Sequence, residues 1–403
     1  MKVIVLTNYS LSSRKGAAYS RIFAYSDALK SNMNFEVIEL DRFIKKRPQP
    51  SDLKRNENDG MSYLTNNKSG QNKLYKVVFS MFDFISAFKT VNFINKNYNP
   101  SESRILLYSS NFFLFFFSIF YLGKLNKYKI IIEKNEIEIG KVQNLYIPSF
   151  PYSVFFICLW PIKWILALLI DLMVYLSDGV IVISTNLERK YSSKKNVWRI
   201  PILVNLKRFN KRKDINNKEN FIYMGAITHK KDALFKTIEA IGLSKHKLSA
   251  NFSFEIIGDG NKKVLNELKA LILKLGLKDI VKIKPSIPSE KVSEVLMSSN
   301  FGMLIRENNK QNKYGFSTKL AEYVAAGLFV ISSNTSDNLL FLDHMGNSFI
   351  VDPKKKKTIS EAFIYCSNMS DQELNKINER NYSIAQKKFN AEKYRSVLLK
   401  VFN

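Results

Sequence analysis

Two hydroxyls, an ammonium and a carboxylate follow one another at Ser317, Thr318, Lys319 and Glu322. Ser317 and Thr318 are good helix N-cap residues, and Gly327 stands where a glycine should end a helix, so the spacing predicts a helix of about ten residues. Glu322 lies one turn inside it, on the face of Thr318 and Lys319, because positions three and four apart are neighbours. Its side chain leans back toward the helix start. That start carries free N–H groups and a partial positive charge, which suit a phosphate. The chemistry such a set can do is to hold a diphosphate at the helix tip, with help from Lys319, while Glu322 takes sugar hydroxyls.

Positioning these groups requires a strand on either side. Phe301 to Ile305 and Leu328 to Ile331 are apolar runs, and Arg306 to Gly315 between them is polar, so the stretch reads as strand, loop, helix, strand. Asn300 to Ser333 resembles the donor-binding motif of GT-B glycosyltransferases, closest to glycosyltransferase family 4, in which a loop leads into a helix with E-x7-E spacing and then A-x-G-x-x-V-I. Glu322 matches the second glutamate, which by this resemblance holds the donor's ribose hydroxyls, whereas Tyr314 stands at the first. The segment F-S-T-K-L-A-E-Y, Phe316 to Tyr323, resembles the S-P-T-K-x-x-E-Y variant of bacterial members. A plain βαβ crossover with a solvated glutamate fits the same pattern.

The 403 residues leave room for two domains with sizeable cores. With 62 Lys plus Arg against 35 Asp plus Glu, the net charge is +27, which favours an anionic partner. No nucleic-acid reader module or clustered basic helix is present, so an anionic membrane surface is the expected partner and nucleic acid is not. Cys158 and Cys366 are isolated in apolar or helical contexts and make neither a disulfide framework nor a metal site. The opening MKVIVLTNYS reads as a first strand rather than a signal peptide, so the expected location is cytoplasmic, at the inner face of the cell membrane.

From the N-terminus, strand Lys2 to Leu6, a polar loop and a helix from about Ala17 to Lys30 start a doubly wound domain. The loop lacks G-x-G-x-x-G, against a nicotinamide dinucleotide. By resemblance to the family, Lys15, Gly16 and Ala17 approach the donor phosphates and acceptor; a plain connecting loop fits equally. Phe35 to Leu40 is the second strand, and Lys45 to Lys73 reads as a polar surface loop. Leu74 to Asn97 carries a helical apolar stripe. Phe112 to Leu122 is too short to span a bilayer. Polar groups after the strand Lys129 to Ile132 make Glu133, Asn135 and Glu136 candidates for the ligand crevice. The fragment E-K-N-E resembles a family segment near the reacting sugar, and Glu136 is the catalytic candidate there; a solvated loop is the alternative. The apolar block from Val154 to Leu176 is interrupted by Lys163 and Asp171, and Pro161 should break or start a helix. It is expected to lie partly on the sheet and partly in the membrane interface, with Trp160, Lys163 and Trp164 at headgroup depth, rather than wholly in the core.

The second half opens with a strand ending at Gly225 and a helix beginning near Asp232, which leaves Lys231 at a strand-to-helix turn aimed at the crevice. In family 4 an arginine and a lysine, five apart after this glycine, grip the donor diphosphate. Lys231 matches the lysine, and Ala226 occupies the arginine position, with Lys230 or Arg306 as substitutes. Gly258 and Gly260 permit close backbone approach to a ligand, and by resemblance the base docks near Ile287.

The expectation is an α/β protein of GT-B type, with two Rossmann-like doubly wound domains facing a central cleft. The N-terminal acceptor domain covers 1–205, a linker 206–219 and the donor domain 220–387, with the helix 388–403 crossing back. The expected activity is transfer of a sugar from a nucleotide diphosphate sugar, a UDP-sugar above others, to a hydroxyl of a membrane-associated glycan or lipid-linked acceptor. The resemblance to family 4 implies retention. There is no D-x-D and no His/Cys cluster, so no metal or other cofactor is expected. The catalytic candidates are Glu136, Lys231 and Glu322. Donor contacts are expected from Gly16, Gly225, Lys231, Gly258, Ile287, Arg306, Ser317, Thr318, Lys319 and Glu322. A nucleotide-sugar epimerase or hydrolase of the same fold, and a non-catalytic partner of another glycosyltransferase, are the alternatives.

Overall fold

The apolar runs marked as buried strands assemble into two sheets. The computed structural model describes residues 1–13, 16–40, 54–56, 59–64, 82–143, 152–209, 219–229 and 232–403. The first sheet contains β1 (Lys2–Thr7), β2 (Asn34–Glu39), β3 (Lys54–Arg55), β4 (Ser62–Leu64), β5 (Ser103–Tyr108), β6 (Lys129–Lys134), β7 (Gly179–Val182) and β8 (Val197–Arg199). Its order is β3-β4-β2-β1-β5-β6-β7-β8, parallel throughout except for the edge pair β3 and β4. The second contains β9 (Asn220–Met224), β10 (Ser253–Ile257), β11 (Val281–Lys284), β12 (Phe301–Leu304), β13 (Phe329–Ser333) and β14 (Ser348–Val351). Its order is β11-β10-β9-β12-β13-β14 and it is wholly parallel. Central strands such as β1 and β13 are buried on both faces, which is why their sequences are continuous apolar runs rather than alternating ones.

The chain divides into two units, residues 1–200 with 394–403, and residues 201–393. Within each sheet the order of the parallel strands reverses, between β1 and β5 in the first and between β9 and β12 in the second. Ligands of open α/β sheets bind beyond the carboxyl ends of the strands at such a reversal. The core of the second unit is built on stacked rings, with Phe221 between Phe301 at 4.4 Å and Phe252 at 4.9 Å.

Several elements differ from the sequence reading. The polar stretch from Lys45 contributes β3 and β4 to the sheet edge, with Met61 and Tyr63 buried. Backbone pairing of β4 with β2, and the Tyr63 hydroxyl bound to Asp59 at 2.8 Å, compensate for the polar composition. The helix expected from Leu74 is described from Phe82 to Asn97; residues 74–81 lie outside the described residues. Pro161 neither breaks nor starts a helix, because a single helix runs Tyr152–Met173 through it; one lost backbone bond does not outweigh packing of the face that carries the buried Ala167, Ile170 and Met173. The helix Arg395–Phe402 packs in the first unit, where Phe402 meets Phe35 edge-on at 6.0 Å and Arg395 donates to Asn32 at 2.8 Å.

Candidate functional site

The helix expected after Ser317 runs Thr318–Ala325. Its inner face, Leu320, Ala321, Tyr323 and Val324, is buried, and Gly327 follows it with φ +75°. Asn378 lies where a Cβ at Gly327 would stand. Ser317 is the N-cap with extended backbone, yet its side chain does not cap the helix; its Oγ is buried and has no hydrogen-bond partner among the described residues. Thr318 is the first helical residue and is partly exposed. One turn on, Glu322 is partly buried, and among the described residues its carboxylate has neither a hydrogen bond nor an ion pair. Burial pushes that carboxyl up to about 7 from its ordinary 4.5, against the opposing pull of Arg208 and Lys319. A desolvated carboxylate without donors is an acceptor waiting for hydroxyls.

Lys319 and Arg306 converge on Asp232, a residue absent from the sequence-based candidates. Arg306 Nε donates to Asp232 Oδ1 at 2.7 Å, and Lys319 Nζ bonds Oδ2 at 2.5 Å. The Tyr223 hydroxyl lies 2.7 Å from that same oxygen, and Lys319 Nζ sits 4.2 Å over the Tyr223 ring. Burial alone would raise the Asp232 carboxyl, but Lys319 and Arg306 beside it hold it well below the usual carboxylate range. Arg306 follows the end of β12, Asp232 follows β9, and Lys319 opens the helix, so the cluster stands at the strand-order reversal of this sheet.

The glycines at these strand ends serve the backbone. A Cβ on Gly225, whose φ is +155°, would lie 2.5 Å from Lys319 Cε, and one on Gly258 would lie 1.9 Å from the Gly225 carbonyl oxygen. A Cβ on Gly260 would likewise lie 2.7 Å from the Ile227 carbonyl oxygen. Gly258 and Gly260 thus permit close approach between two strand-end loops. Ile287 is partly buried in the loop before the helix Ser289–Met297. Lys230 and Lys231 lie outside the described residues, as does Lys15.

In the first unit, Gly16 opens the helix Gly16–Leu29 with φ +82° and open space where a Cβ would be. Glu136 is partly buried in the bend after β6. Glu133 does not face a crevice. It is fully buried, with Arg21 Nε at 2.7 Å and the Tyr25 hydroxyl at 2.9 Å, because it is the counter-ion of a buried arginine that also donates to the Ile200 carbonyl at 2.8 Å. The strand ends instead gather Tyr9, Ser110, Asn135 and Lys141. The Tyr9 hydroxyl and Ser110 Oγ are 2.5 Å apart, and Lys141 Nζ lies 3.3 Å from Ser110 Oγ and 2.8 Å from Glu138. Asn135 donates to the Tyr108 hydroxyl at 2.5 Å, while its buried Oδ1 has no partner among the described residues. Asp171 of the long apolar helix anchors this loop, ion-paired to Lys134 at 2.8 Å and accepting from the Glu138 N–H at 3.1 Å. Among the described residues no group of three or more His, Cys, Asp or Glu is arranged to hold a metal.

Residues 205–402 match the family model described as Glycosyl transferases group 1. No curated protein matches the sequence. Among solved structures, HepE of Anabaena in complex with UDP is similar over 99% of both chains with a TM-score of 0.65 and 11% identity. A sucrose-phosphate synthase from Thermosynechococcus elongatus covers 99% of this chain and 97% of its own, at 0.69 and 13%. The α,α-trehalose-phosphate synthase (UDP-forming) of Burkholderia xenovorans in complex with glucose-6-phosphate covers 99% of both, at 0.69 and 12%. The fold is therefore GT-B, and the group 1 match to the half that carries Asp232, Arg306, Lys319 and Glu322 supports a GT-B glycosyltransferase.

Proposed function

We propose that this protein is a retaining glycosyltransferase of the family 4 type, moving a sugar from a nucleotide diphosphate sugar to a hydroxyl of a membrane-associated glycan or lipid-linked acceptor. The observation that carries the reading is Glu322: a desolvated carboxylate, without a partner among the described residues, one turn above a helix tip flanked by Lys319 and Arg306. Its oxygens suit ribose hydroxyls, while the tip and the two cations suit a diphosphate. The acceptor oxygen bonds the anomeric carbon on the face that the diphosphate leaves, as the bond to the diphosphate oxygen breaks; the nucleoside diphosphate departs with the electron pair, and its leaving oxygen takes up the proton of the acceptor hydroxyl. Stabilising charge on that diphosphate is the main catalytic contribution, met by these cations without a divalent metal. Glu136, in the bend after β6, is assigned to the reacting sugar. Because structural neighbours are described with UDP or UDP-glucose, a UDP-sugar is the first donor to test.

The apolar faces of the first unit favour an acceptor held at a membrane. Phe84, Phe88, Phe116, Phe120, Trp164 and Leu172 are all exposed, on helices that touch one another through pairs such as Phe84–Phe117 and Phe88–Phe117. The helix segment Leu159–Leu176 is long and apolar enough to cross a membrane by length and composition, yet its inward Asp171 holds the loop after β6. We assign it to the interface of the cytoplasmic leaflet, where each nearby basic residue adds about 1 kcal/mol.

A thermal-shift screen of UDP-, GDP- and dTDP-sugars tests the reading. One donor should raise the melting temperature of the wild type, and Glu322→Ala and Lys231→Ala should abolish the shift; no shift with any donor refutes it. Tyr314 and Ala226, in place of the family's glutamate and arginine, favour one other reading, a non-catalytic partner, which predicts donor binding without turnover over any acceptor.

A further inference from the structure

We propose that Asp232 is a positioning residue for the donor diphosphate: it holds Lys319 and Arg306 side by side, so that this lysine–arginine pair replaces the arginine missing at Ala226. The inference rests on the nucleotide-sugar reading above. Three chain segments bring the groups together: Asp232 from the turn after β9, Arg306 from the end of β12, and Lys319 from the helix start. The carboxylate is the buried member, with its side chain 2% exposed, while those of Arg306 and Lys319 are 10% and 12% exposed.

One carboxylate beside two cations leaves a net positive charge at the place where the sheet order reverses. Asp232 binds Arg306 through Nε, so the two terminal guanidinium nitrogens are not needed for that contact. The ring of Tyr223 under Lys319 and the bare Gly225 backbone against Lys319 Cε fix the lysine arm. On the other side, Ser333 and Thr335 fix Arg306: Ser333 Oγ accepts from the Arg306 N–H at 2.8 Å, and the two hydroxyls donate to the Arg306 carbonyl at 2.7 and 3.2 Å. Without the carboxylate between them the two cations repel each other, and neither is directed. A pair aligned in this way recognises the second phosphate of a nucleoside diphosphate, so its loss should separate diphosphate from monophosphate affinity.

The test is calorimetry on the full-length protein with UDP, GDP and dTDP, each against its own monophosphate, on wild type, Asp232→Asn, Lys319→Met and the double variant. For the preferred base, each single variant should weaken diphosphate binding about tenfold while monophosphate affinity stays within about twofold. The double variant should fall close to the singles rather than at the roughly hundredfold that independent contributions give. Unchanged or tighter diphosphate binding in Asp232→Asn, an equal loss of mono- and diphosphate, or full additivity would overturn the assignment. Should Asp232→Asn not fold, Asp232→Glu, which keeps the charge on a longer arm, is judged by the same selective loss. A wild type that binds none of the three diphosphates refutes the donor reading itself, an outcome distinct from a wild type that binds one of them and ignores Asp232.

Discussion

Replacing Glu322 by glutamine should stabilise the protein and disable it at once. The carboxyl stands at about 7 against an ordinary 4.5, a gap of about 2.5 pH units, and one unit corresponds to about 1.4 kcal/mol, so ionising Glu322 in the fold costs at most about 3.5 kcal/mol. Partial contact with water reduces that to about 1–2 kcal/mol. The folded-state value lies above the unfolded one, so the native state binds the extra proton. Its contribution is fully present below about pH 4.5 and is lost as pH rises through about 7. Urea denaturation of Glu322→Gln should therefore match wild type near pH 4.5 and exceed it by about 1–2 kcal/mol at pH 8. Calorimetry with the donor found in the screen should show about 10- to 100-fold weaker binding, the loss of hydrogen bonds to a charged acceptor at about 1.5–3 kcal/mol. A glutamine variant less stable than wild type at pH 8, or a stability difference independent of pH, would refute the desolvation argument.

Gly258→Ala places a methyl group 1.9 Å from the Gly225 carbonyl, so urea denaturation should show a loss of about 3 kcal/mol, and donor affinity should fall because Gly225 supports Lys319. Glu133→Ala strands the fully buried Arg21 and should cost about 3–5 kcal/mol; wild-type stability in that variant would remove the structural role given to Glu133. Trp164→Ser and Leu172→Ser change side chains that are 40% and 52% exposed, so denaturation midpoints should barely move, within about 0.5 kcal/mol. Sedimentation with vesicles containing anionic lipid should drop clearly in both variants and in high salt; undiminished co-sedimentation would dismiss the interface reading of that helix.

What the sequence alone determined is what short-range physics encodes. Apolar runs at β1, β9 and β13 specify buried parallel strands, and Gly327 ends a helix on which Lys319 and Glu322 share a face, because a C-terminal glycine and the helical period act over a few residues. Tertiary structure alone decided which charges meet. Asp232 lies 74 residues from Arg306 and 87 from Lys319, and Arg21 lies 112 residues from Glu133, so nothing local marks one carboxylate as a holder of cations, another as a buried counter-ion and Glu322 as the one left open. The same holds for β4, a short run in a polar stretch that becomes a strand by pairing with β2, and for Pro161, carried inside a helix whose inner face is packed. Those outcomes depend on burial and on which segments the strand order brings to one end of a sheet, and in a low-dielectric interior the choice of partner sets both the charge state and the role of each group.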